Sequence, residues 1–167
     1  EKLRVKARQW AVLTIGQTLL REARARYERE RKPAVVQQGQ YFFSMITRDR
    51  YPRLISPPGE TQIQLEDRSG RRKTLTELSR GTAEQLYLAL RFGLVKEFSR
   101  RSESLPVVMD DILVNFDPER AREAATAIAE LANENQVIVF TCHPETADLL
   151  KAQSPESLVV RLEDYSA

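Results

Sequence analysis

The chain has 167 residues, of which 41% are hydrophobic and 30% are charged, and its formal net charge is +2. This composition is typical of one globular domain with a real core, and it excludes a fully disordered chain. The nearly balanced charge does not by itself indicate a nucleic-acid partner. The single cysteine, Cys142, excludes an internal disulfide and a multi-cysteine zinc site, and it favours a reducing compartment.

No apolar run approaches the roughly 20 residues that a membrane-spanning helix needs. The amino end also has no signal-peptide pattern. We therefore expect a cytoplasmic protein with no membrane partner. Because the chain begins at Glu1 rather than at a methionine, we expect it to be a piece of a longer protein.

Residues 1–32 contain one glycine and no proline, and they predict a long helix that ends at Pro33. Five apolar residues in it fall near heptad spacing: Leu3, Trp10, Leu13, Leu20 and Tyr27. Two interpretations are open on these residues alone. The segment is either the end of a coiled-coil arm or a surface helix packed on its own domain.

The next stretch predicts a shorter helix over residues 35–47 and then a basic turn over residues 48–53. Arginines beside a tyrosine could contact phosphates, although such a turn is more often simply solvated. A hairpin follows, with strands at residues 54–56 and 61–66, and we expect Ser69-Gly70 to end it.

A polar turn of small residues then leads directly into an amphipathic helix. Gly81 lets another group approach the backbone, and Ser79 and Thr82 place hydroxyls ahead of the first helical turn. Unpaired N–H groups and the helix dipole favour an anion at this position. Thr82 and Gln85 fit a capping box, which predicts a helix start near Ala83. The stretch indicates a phosphate-binding turn, with an ordinary capped helix as the alternative.

The same helix repeats an apolar residue at every fourth position, and this stripe is predicted to face the core. Its members are Leu86, Leu90, Leu94 and Phe98.

Two runs of consecutive apolar residues, at 105–109 and 136–140, predict strands that are buried on both faces, as in a parallel sheet. An alanine-rich helix from about Pro118 to Asn133 lies between them. The result is a βαβ unit in an α/β fold, whose ligands gather where the strands end. Residues 158–162 predict a last strand.

Asp110 and Asp111 follow the first of these strands directly. Two adjacent carboxylates at the end of a buried strand are unfavourable unless a positive or protic group lies beside them. Asp110 could hold a hydrated Mg²⁺, directly or through water, while Asp111 orients or deprotonates an attacking water. On these two residues alone, a solvated strand-end pair is the alternative.

Two further polar residues stand at the borders of the same unit. Asp117 precedes Pro118 and is a good helix N-cap. His143 follows the second strand and is the only histidine, a residue type that is more often structural than catalytic when it occurs alone. Cys142 beside it is expected to be a small core residue.

Taken in order, four stretches resemble the motifs of ABC-type ATPases. They are Leu78-Ser79-Arg80-Gly81-Thr82 (signature), Leu105 to Asp111 (Walker B), Asn115-Phe116-Asp117 (D-loop) and Thr141-Cys142-His143 (H-loop). The continuation from Glu84 to Arg91 resembles the branch whose heads sit on long coiled coils, which includes SMC, RecN and YhaN-like bacterial proteins. Three positions depart from the family pattern: Arg80 replaces glycine, Thr82 replaces Gln or Glu, and Asp111 replaces the more usual glutamate.

The resemblance implies a role for each motif residue. Ser79, Arg80, Gly81 and Thr82 would bind the ATP held by an opposite head, Asp110 would hold Mg²⁺, and Asp117 would signal between heads. Asp111 and His143 would be catalytic, the former on the attacking water and the latter at the γ-phosphate.

No Gly-x-x-x-x-Gly-Lys-Ser/Thr motif occurs in the chain, so it encodes no phosphate-binding Walker A loop. In the coiled-coil branch that loop lies in an N-terminal lobe. The resemblance therefore implies that residues 33–167 are a C-terminal lobe and residues 1–32 the end of a coiled-coil arm. The expected partners are the N-terminal lobe of the same full-length chain, a second head, DNA and a nuclease subunit. The chain alone should bind ATP poorly and hydrolyse it negligibly.

Two other functions remain open. A non-enzymatic dimerisation or DNA-binding module would keep the fold and use the basic stretches at residues 48–53 and 71–73 for phosphate contacts. The nucleotide-binding subunit of a transporter is the second alternative, although the first helix and the continuation of the signature argue against it.

Overall fold

The computed structural model describes residues 6–7, 10–21, 34–56 and 62–161. Residues 10–21 are helical and are called α1 here. The other helices are α2 (Ala34–Ile46), α3 (Arg80–Arg101), α4 (Pro118–Ala132) and α5 (Pro144–Gln153). The strands are β1 (Arg53–Ile55), β2 (Gln64–Glu66), β3 (Arg72–Lys73), β4 (Val107–Asp110) and β5 (Val137–Phe140), and a short 3₁₀ helix spans Leu75–Glu77. The predicted mixture of helices with a parallel pair of strands is confirmed.

The predicted long first helix is described only in part. Residues 10–21 are helical as expected, and residues 22–33, where the prediction ends the helix, lie outside the described ranges. The hairpin turn predicted at residues 57–60 also lies outside them. None of the described helices is both long and apolar enough to cross a membrane.

Helices α2 and α3 pack most closely, and two glycines make this possible. A Cβ on Gly93 would lie 2.5 Å from the carbonyl oxygen of Val35, and a Cβ on Gly39 would lie 3.2 Å from the Cα of Leu90. Around this crossing Phe42 and Phe92 pack edge to face, with ring centroids 5.4 Å apart. The sequence predicts α2 to within one residue, and this contact forms the centre of the core.

The start of α3 differs from the prediction. The helix begins at Arg80, and Ser79 is its N-cap, accepting a hydrogen bond from the Thr82 backbone N–H at 3.3 Å. The predicted capping box of Thr82 and Gln85, with a start near Ala83, is therefore wrong. Thr82 and Gln85 are instead buried, which leaves the serine before them as the cap.

The predicted apolar stripe on α3 is also only partly right. Leu86 is buried, but Leu94 is 57% exposed and Phe98 is 47% exposed. With about 3.6 residues per turn, a spacing of four drifts by about 40° at each step. The stripe therefore turns away from the core, and the buried positions in the second half of the helix are Phe92 and Gly93.

The three short strands β1, β2 and β3 form an antiparallel sheet in that order. The sequence predicts β1 and β2 but not β3, because a two-residue charged strand at a sheet edge has no apolar alternation. Ser69-Gly70 follows the second strand of the hairpin, as predicted, and it also connects β2 to β3. The Asp67 carboxylate accepts hydrogen bonds from the Ser69 and Arg71 backbone N–H groups, and Gly70 has a φ of 79°.

Strands β4 and β5 pair in parallel, as predicted, with Asp110 opposite Phe140. The expected burial on both faces is wrong for the described residues taken by themselves. Met109 is buried, whereas Val108 is 62% exposed and its cross-strand neighbour Ile138 is 38% exposed. Only one face of the pair therefore packs on the core of the described residues.

The predicted last strand does not form in the described part of its range. Residues 158–161 have no regular secondary structure, and Leu158 is 86% exposed. Residue 162 lies outside the described ranges. A strand needs a neighbour for its backbone N–H and C=O groups, and apolar residues alone do not supply one. Helix α5 precedes this segment and is not predicted from the sequence.

Candidate functional site

The predicted site residues lie in two sets at different places in the structure. One set lies where β4 and β5 end and contains Asp110, Asp111 and His143. The other lies where α3 and α4 begin and contains the signature turn and Asp117.

Asp111 is held against the end of β5. Its backbone N–H donates to the Phe140 carbonyl at 2.9 Å, and its Oδ1 accepts from the Thr141 hydroxyl at 2.8 Å and from the Cys142 backbone N–H at 3.3 Å. The residue has a φ of 42°, a left-handed conformation that aspartate tolerates better than most residues do. The hydrogen bond from Thr141 lowers the pKa of the Asp111 carboxyl more than burial raises it. Asp111 is therefore an oriented, ionised carboxylate at neutral pH.

The other two residues of this set differ in their exposure to solvent. Asp110 is exposed, so its carboxylate oxygens are accessible to a hydrated cation, as the prediction for Mg²⁺ requires. His143 is half-buried, and a ring nitrogen of it lies within 4.8 Å of ligand atoms of Asp111 and Cys142.

Cys142 is exposed, so the expectation of a small core residue is wrong. It lies two residues beyond the end of β5, outside the packed part of the sheet. The hydrogen bond from its thiol to the Asp111 carboxylate, at 3.5 Å, raises the pKa of Cys142.

The signature turn has an ordered hydroxyl pair at the start of α3. The Ser79 and Thr82 hydroxyl oxygens are 2.8 Å apart. Arg80 points away from this pair, because its guanidinium is paired with Glu84 at 3.0 Å and its side chain is 87% exposed. Of the four predicted signature residues, Ser79 and Arg80 are exposed, Gly81 is half-buried and Thr82 is buried.

Arg120 is a site residue that sequence reasoning missed. A Cβ on Gly81 would lie 3.1 Å from the Arg120 Cζ and would overlap its guanidinium. The same guanidinium pairs with the Asp117 carboxylate, with Nε and Oδ2 3.2 Å apart. Arg120 therefore links the signature glycine to the D-loop aspartate. The sequence signals only the pair on α4, because Asp117 and Arg120 are three positions apart, and contains no sign of the contact with Gly81.

A cleft of about 400 Å³ lies beside this link. Its polar lining includes Arg48, Thr82, Asp117 and Arg120. Arg48 belongs to the predicted basic turn, yet it reaches Glu119 at 2.6 Å and Glu123 at 2.5 Å on α4. These ion pairs fix the turn to α4, so Arg48 is not simply solvated.

Comparison with known proteins gives one relative in sequence and several in structure. No family model matches the chain. The chain is 31% identical over 150 residues to YhaN of Bacillus subtilis (strain 168), a protein that is itself uncharacterised. The match covers 89% of this chain and 15% of YhaN, so the chain spans about one seventh of its relative.

Two solved SMC structures have a similar fold. One comes from work on ATP-driven dimerisation and DNA-stimulated activation of SMC ATPases, with a TM-score of 0.54, 21% identity and coverage of 72% of each chain. The SMC head domain from Thermotoga maritima also has a TM-score of 0.54, with 19% identity over 74% of this chain and 41% of that one. Fold and sequence together confirm the resemblance predicted from the motifs.

Proposed function

We propose that this chain, which has the fold of SMC ATPase heads and is homologous to YhaN, is the C-terminal lobe of a head that hydrolyses ATP. The observation that carries the proposal is the ionised Asp111 beside His143, where two parallel strands end. Ligands of open α/β sheets bind at that edge.

Each strand-end residue has a role suited to its surroundings. The exposed Asp110 would hold Mg²⁺, which supplies charge neutralisation for the phosphates when it is bound. Asp111 would orient the attacking water, since its pKa is lowered and an ionised carboxylate accepts a hydrogen bond from water. His143 would contact the γ-phosphate.

The start of α3 would face the nucleotide of a second head. Ser79 and Gly81 would contact its γ-phosphate, with Arg80 and Thr82 beside them, at a helix N-terminus that favours anions. Asp117 would transmit the state of one head to the other. The guanidinium of Arg120, lying on Gly81, adds a positive charge where that phosphate would arrive.

The missing Walker A loop would come from an N-terminal lobe of the same full-length chain. The exposed face of the β4–β5 pair supports this, because Val108, Ile138 and Phe140 form an apolar surface that another layer of the head would cover. A sheet that packs on only one face here would then be buried on both, as the sequence predicts for parallel strands.

Residues 1–32 would be the end of a coiled-coil arm that belongs to the head formed by residues 33–167. In α1, Trp10, Leu13 and Leu20 are each at least 68% exposed, which suits a helix that pairs with another helix. Closure of two heads on ATP would move the arms and act on DNA in repair or chromosome maintenance. The setting would be the cytoplasm, and a nuclease subunit would be a further partner.

A non-enzymatic DNA-binding module is the less favoured alternative. Its affinity would depend on the basic stretches at residues 48–53 and 71–73, but most of their arginines are paired with carboxylates. The ion pairs are Arg48 with Glu119 and Glu123, Arg53 with Glu66, Arg71 with Asp67 and Arg72 with Glu66. An arginine that is already paired with a carboxylate neutralises a DNA phosphate less effectively. It therefore releases fewer counterions from the DNA and contributes less to binding. The nucleotide-binding subunit of a transporter is also less favoured, because that function gives no role to the exposed apolar residues of α1.

Asp111→Asn in the complete protein tests the proposed hydrolysis. The amide keeps the size of the side chain but loses its charge, so the turnover of ATP should fall about 10²- to 10⁴-fold. Steady-state phosphate release measures this, and nucleotide binding should change little.

The control is Asp148→Asn, which neutralises an exposed carboxylate on α5. It should leave turnover at the wild-type rate. Equal turnover in Asp111→Asn and the wild type would remove Asp111 from the catalytic machinery.

A further inference from the structure

Three side chains with different metal-binding atoms converge where β4 and β5 end. Asp111 follows β4, and Cys142 and His143 follow β5. The parallel register brings the two strand ends side by side. A carboxylate oxygen, the thiol sulfur and an imidazole nitrogen of these residues all lie within 4.8 Å of one another. The convergence is a property of the topology, because Asp111 and Cys142 are 31 positions apart in the sequence.

The separations fit a small tetrahedral metal site. Zinc binds thiolate sulfur at about 2.3 Å and imidazole nitrogen or carboxylate oxygen at about 2.0–2.2 Å, so neighbouring ligand atoms in a tetrahedron are roughly 3.3–3.6 Å apart. The Cys142 Sγ and the Asp111 Oδ2 are 3.5 Å apart, which already corresponds to one edge of such a tetrahedron. The remaining separations are within 4.8 Å and need to close by at most about 1.5 Å, which rotation of a half-buried histidine side chain can supply.

The surroundings leave one carboxylate oxygen available to a metal. The Thr141 hydroxyl and the Cys142 backbone N–H both donate to Oδ1 of Asp111, and Oδ2 faces the thiol. Hydrogen bonds of this kind orient ligating carboxylates in metal sites. Cys142 is exposed and the other two residues are half-buried, so an ion can enter and a water can complete its coordination.

We propose that Asp111, Cys142 and His143 form a three-ligand site for a borderline divalent metal such as Zn²⁺, with the fourth position open to water. Thiolate and imidazole ligands select such a metal over Mg²⁺, which prefers oxygen ligands. Binding converts the Cys142 thiol to a thiolate, and its proton passes to solvent.

The consequence for activity rests on the proposed ATPase function. A metal held by Asp111 and His143 would take both away from the attacking water and the γ-phosphate. The site is therefore inhibitory, and it differs from the Mg²⁺ position predicted at Asp110. Metal binding itself does not depend on hydrolysis, so it is tested separately.

The test is a titration of the chain, kept reduced, with Co²⁺ as a spectroscopic substitute for Zn²⁺. One equivalent should produce a thiolate-to-Co²⁺ charge-transfer band and strong visible bands typical of tetrahedral coordination. Excess Zn²⁺ should abolish both. Since Cys142 is the only cysteine, the charge-transfer band reports this site alone.

Three variants make the test specific. Cys142→Ser should lose the charge-transfer band, and His143→Gln should weaken Co²⁺ binding by more than the roughly 10- to 100-fold that loss of an outer-shell partner costs. Asp110→Asn, the neighbouring carboxylate outside the cluster, should keep the band and the affinity. The proposal is overturned if the wild type gives no charge-transfer band, or if His143→Gln binds Co²⁺ as tightly as the wild type. The effect of Zn²⁺ on ATP turnover is measured separately in the complete protein. Turnover that Zn²⁺ leaves unchanged, with the charge-transfer band intact, would count against the proposed ATPase role of Asp111 and His143 alone.

Discussion

Gly81 is important for the space it leaves and for the side chain that fills it. The guanidinium of Arg120 occupies the position where a Cβ would be, and the Asp117 carboxylate holds that guanidinium from the other side. If a phosphate of the opposite head approaches Gly81, it meets a positive charge that is already in place. Arg120 is then a phosphate-contacting residue as well as a partner of the D-loop.

We expect Arg120→Ala to weaken ATP-driven association of complete heads by about tenfold or more. A hydrogen bond to a charged group contributes about 1.5–3 kcal/mol, and the substitution removes one such bond to the phosphate. The dissociation constant of the heads at saturating ATP, measured by analytical ultracentrifugation, checks this.

Arg122→Ala is the matched control, because Arg122 is an exposed arginine two residues further along α4. It should leave the dissociation constant unchanged. If both variants weaken association equally, the effect is one of net charge and not of the contact with Gly81.

At the scale of elements, the crossing of α2 and α3 depends on glycine in both helices. Gly93 is buried, and its Cα–H side faces the backbone of α2 so closely that no side chain fits. A backbone carbonyl cannot rotate away as a flexible side chain can. The helices must therefore separate if Gly93 gains a Cβ, whereas a Cβ on Gly39 would meet the movable end of the Leu90 side chain first.

Gly93→Ala should lower the free energy of unfolding by about 1–3 kcal/mol, which is the usual cost of overpacking a close-packed core. Urea denaturation followed by circular dichroism measures the change.

The control is Gly16→Ala in α1, where a Cβ would meet nothing within 4 Å. That variant should be neutral or gain up to about 1 kcal/mol from helix propensity. A Gly93→Ala protein as stable as the wild type would show that the two helices adjust without cost.

The elements that the sequence predicts well are those whose signals are local. Asp117 followed by Pro118 defines the start of α4, and consecutive apolar residues identify β4 and β5. The elements it misses depend on distant partners. Strand β3 exists because β2 lies beside it, and residues 158–161 are not a strand although their composition suits one.

The same distinction between local signals and distant partners applies to the residues of the candidate site. The motifs predict that Asp111 and His143 meet, because parallel strands end at the same edge of a sheet. Local pattern cannot predict that Arg120 covers Gly81, since the two residues are 39 positions apart in the sequence. The exposure of Cys142 was missed because an apolar run does not reveal where its strand stops.

At the scale of the whole molecule, two apolar surfaces have no cover within the described residues. One is the outer face of β4 and β5, and the other is α1. Isolated exposed apolar residues are common, whereas contiguous ones mark an interaction surface. Their positions suit an N-terminal lobe on the sheet and a partner helix along α1, as the proposed role as half of an ATPase head requires.

The most direct test of this account is the mass of the complete head carrying Asp111→Asn, with and without Mg-ATP. The substitution should stop hydrolysis, so a closed state persists long enough to measure by light scattering after size exclusion. The account predicts a monomer without nucleotide and a dimer with Mg-ATP, and the further change Ser79→Arg should return the dimer to a monomer. A head with the same mass in both conditions would contradict the claim that this chain forms half of an ATP-driven clamp.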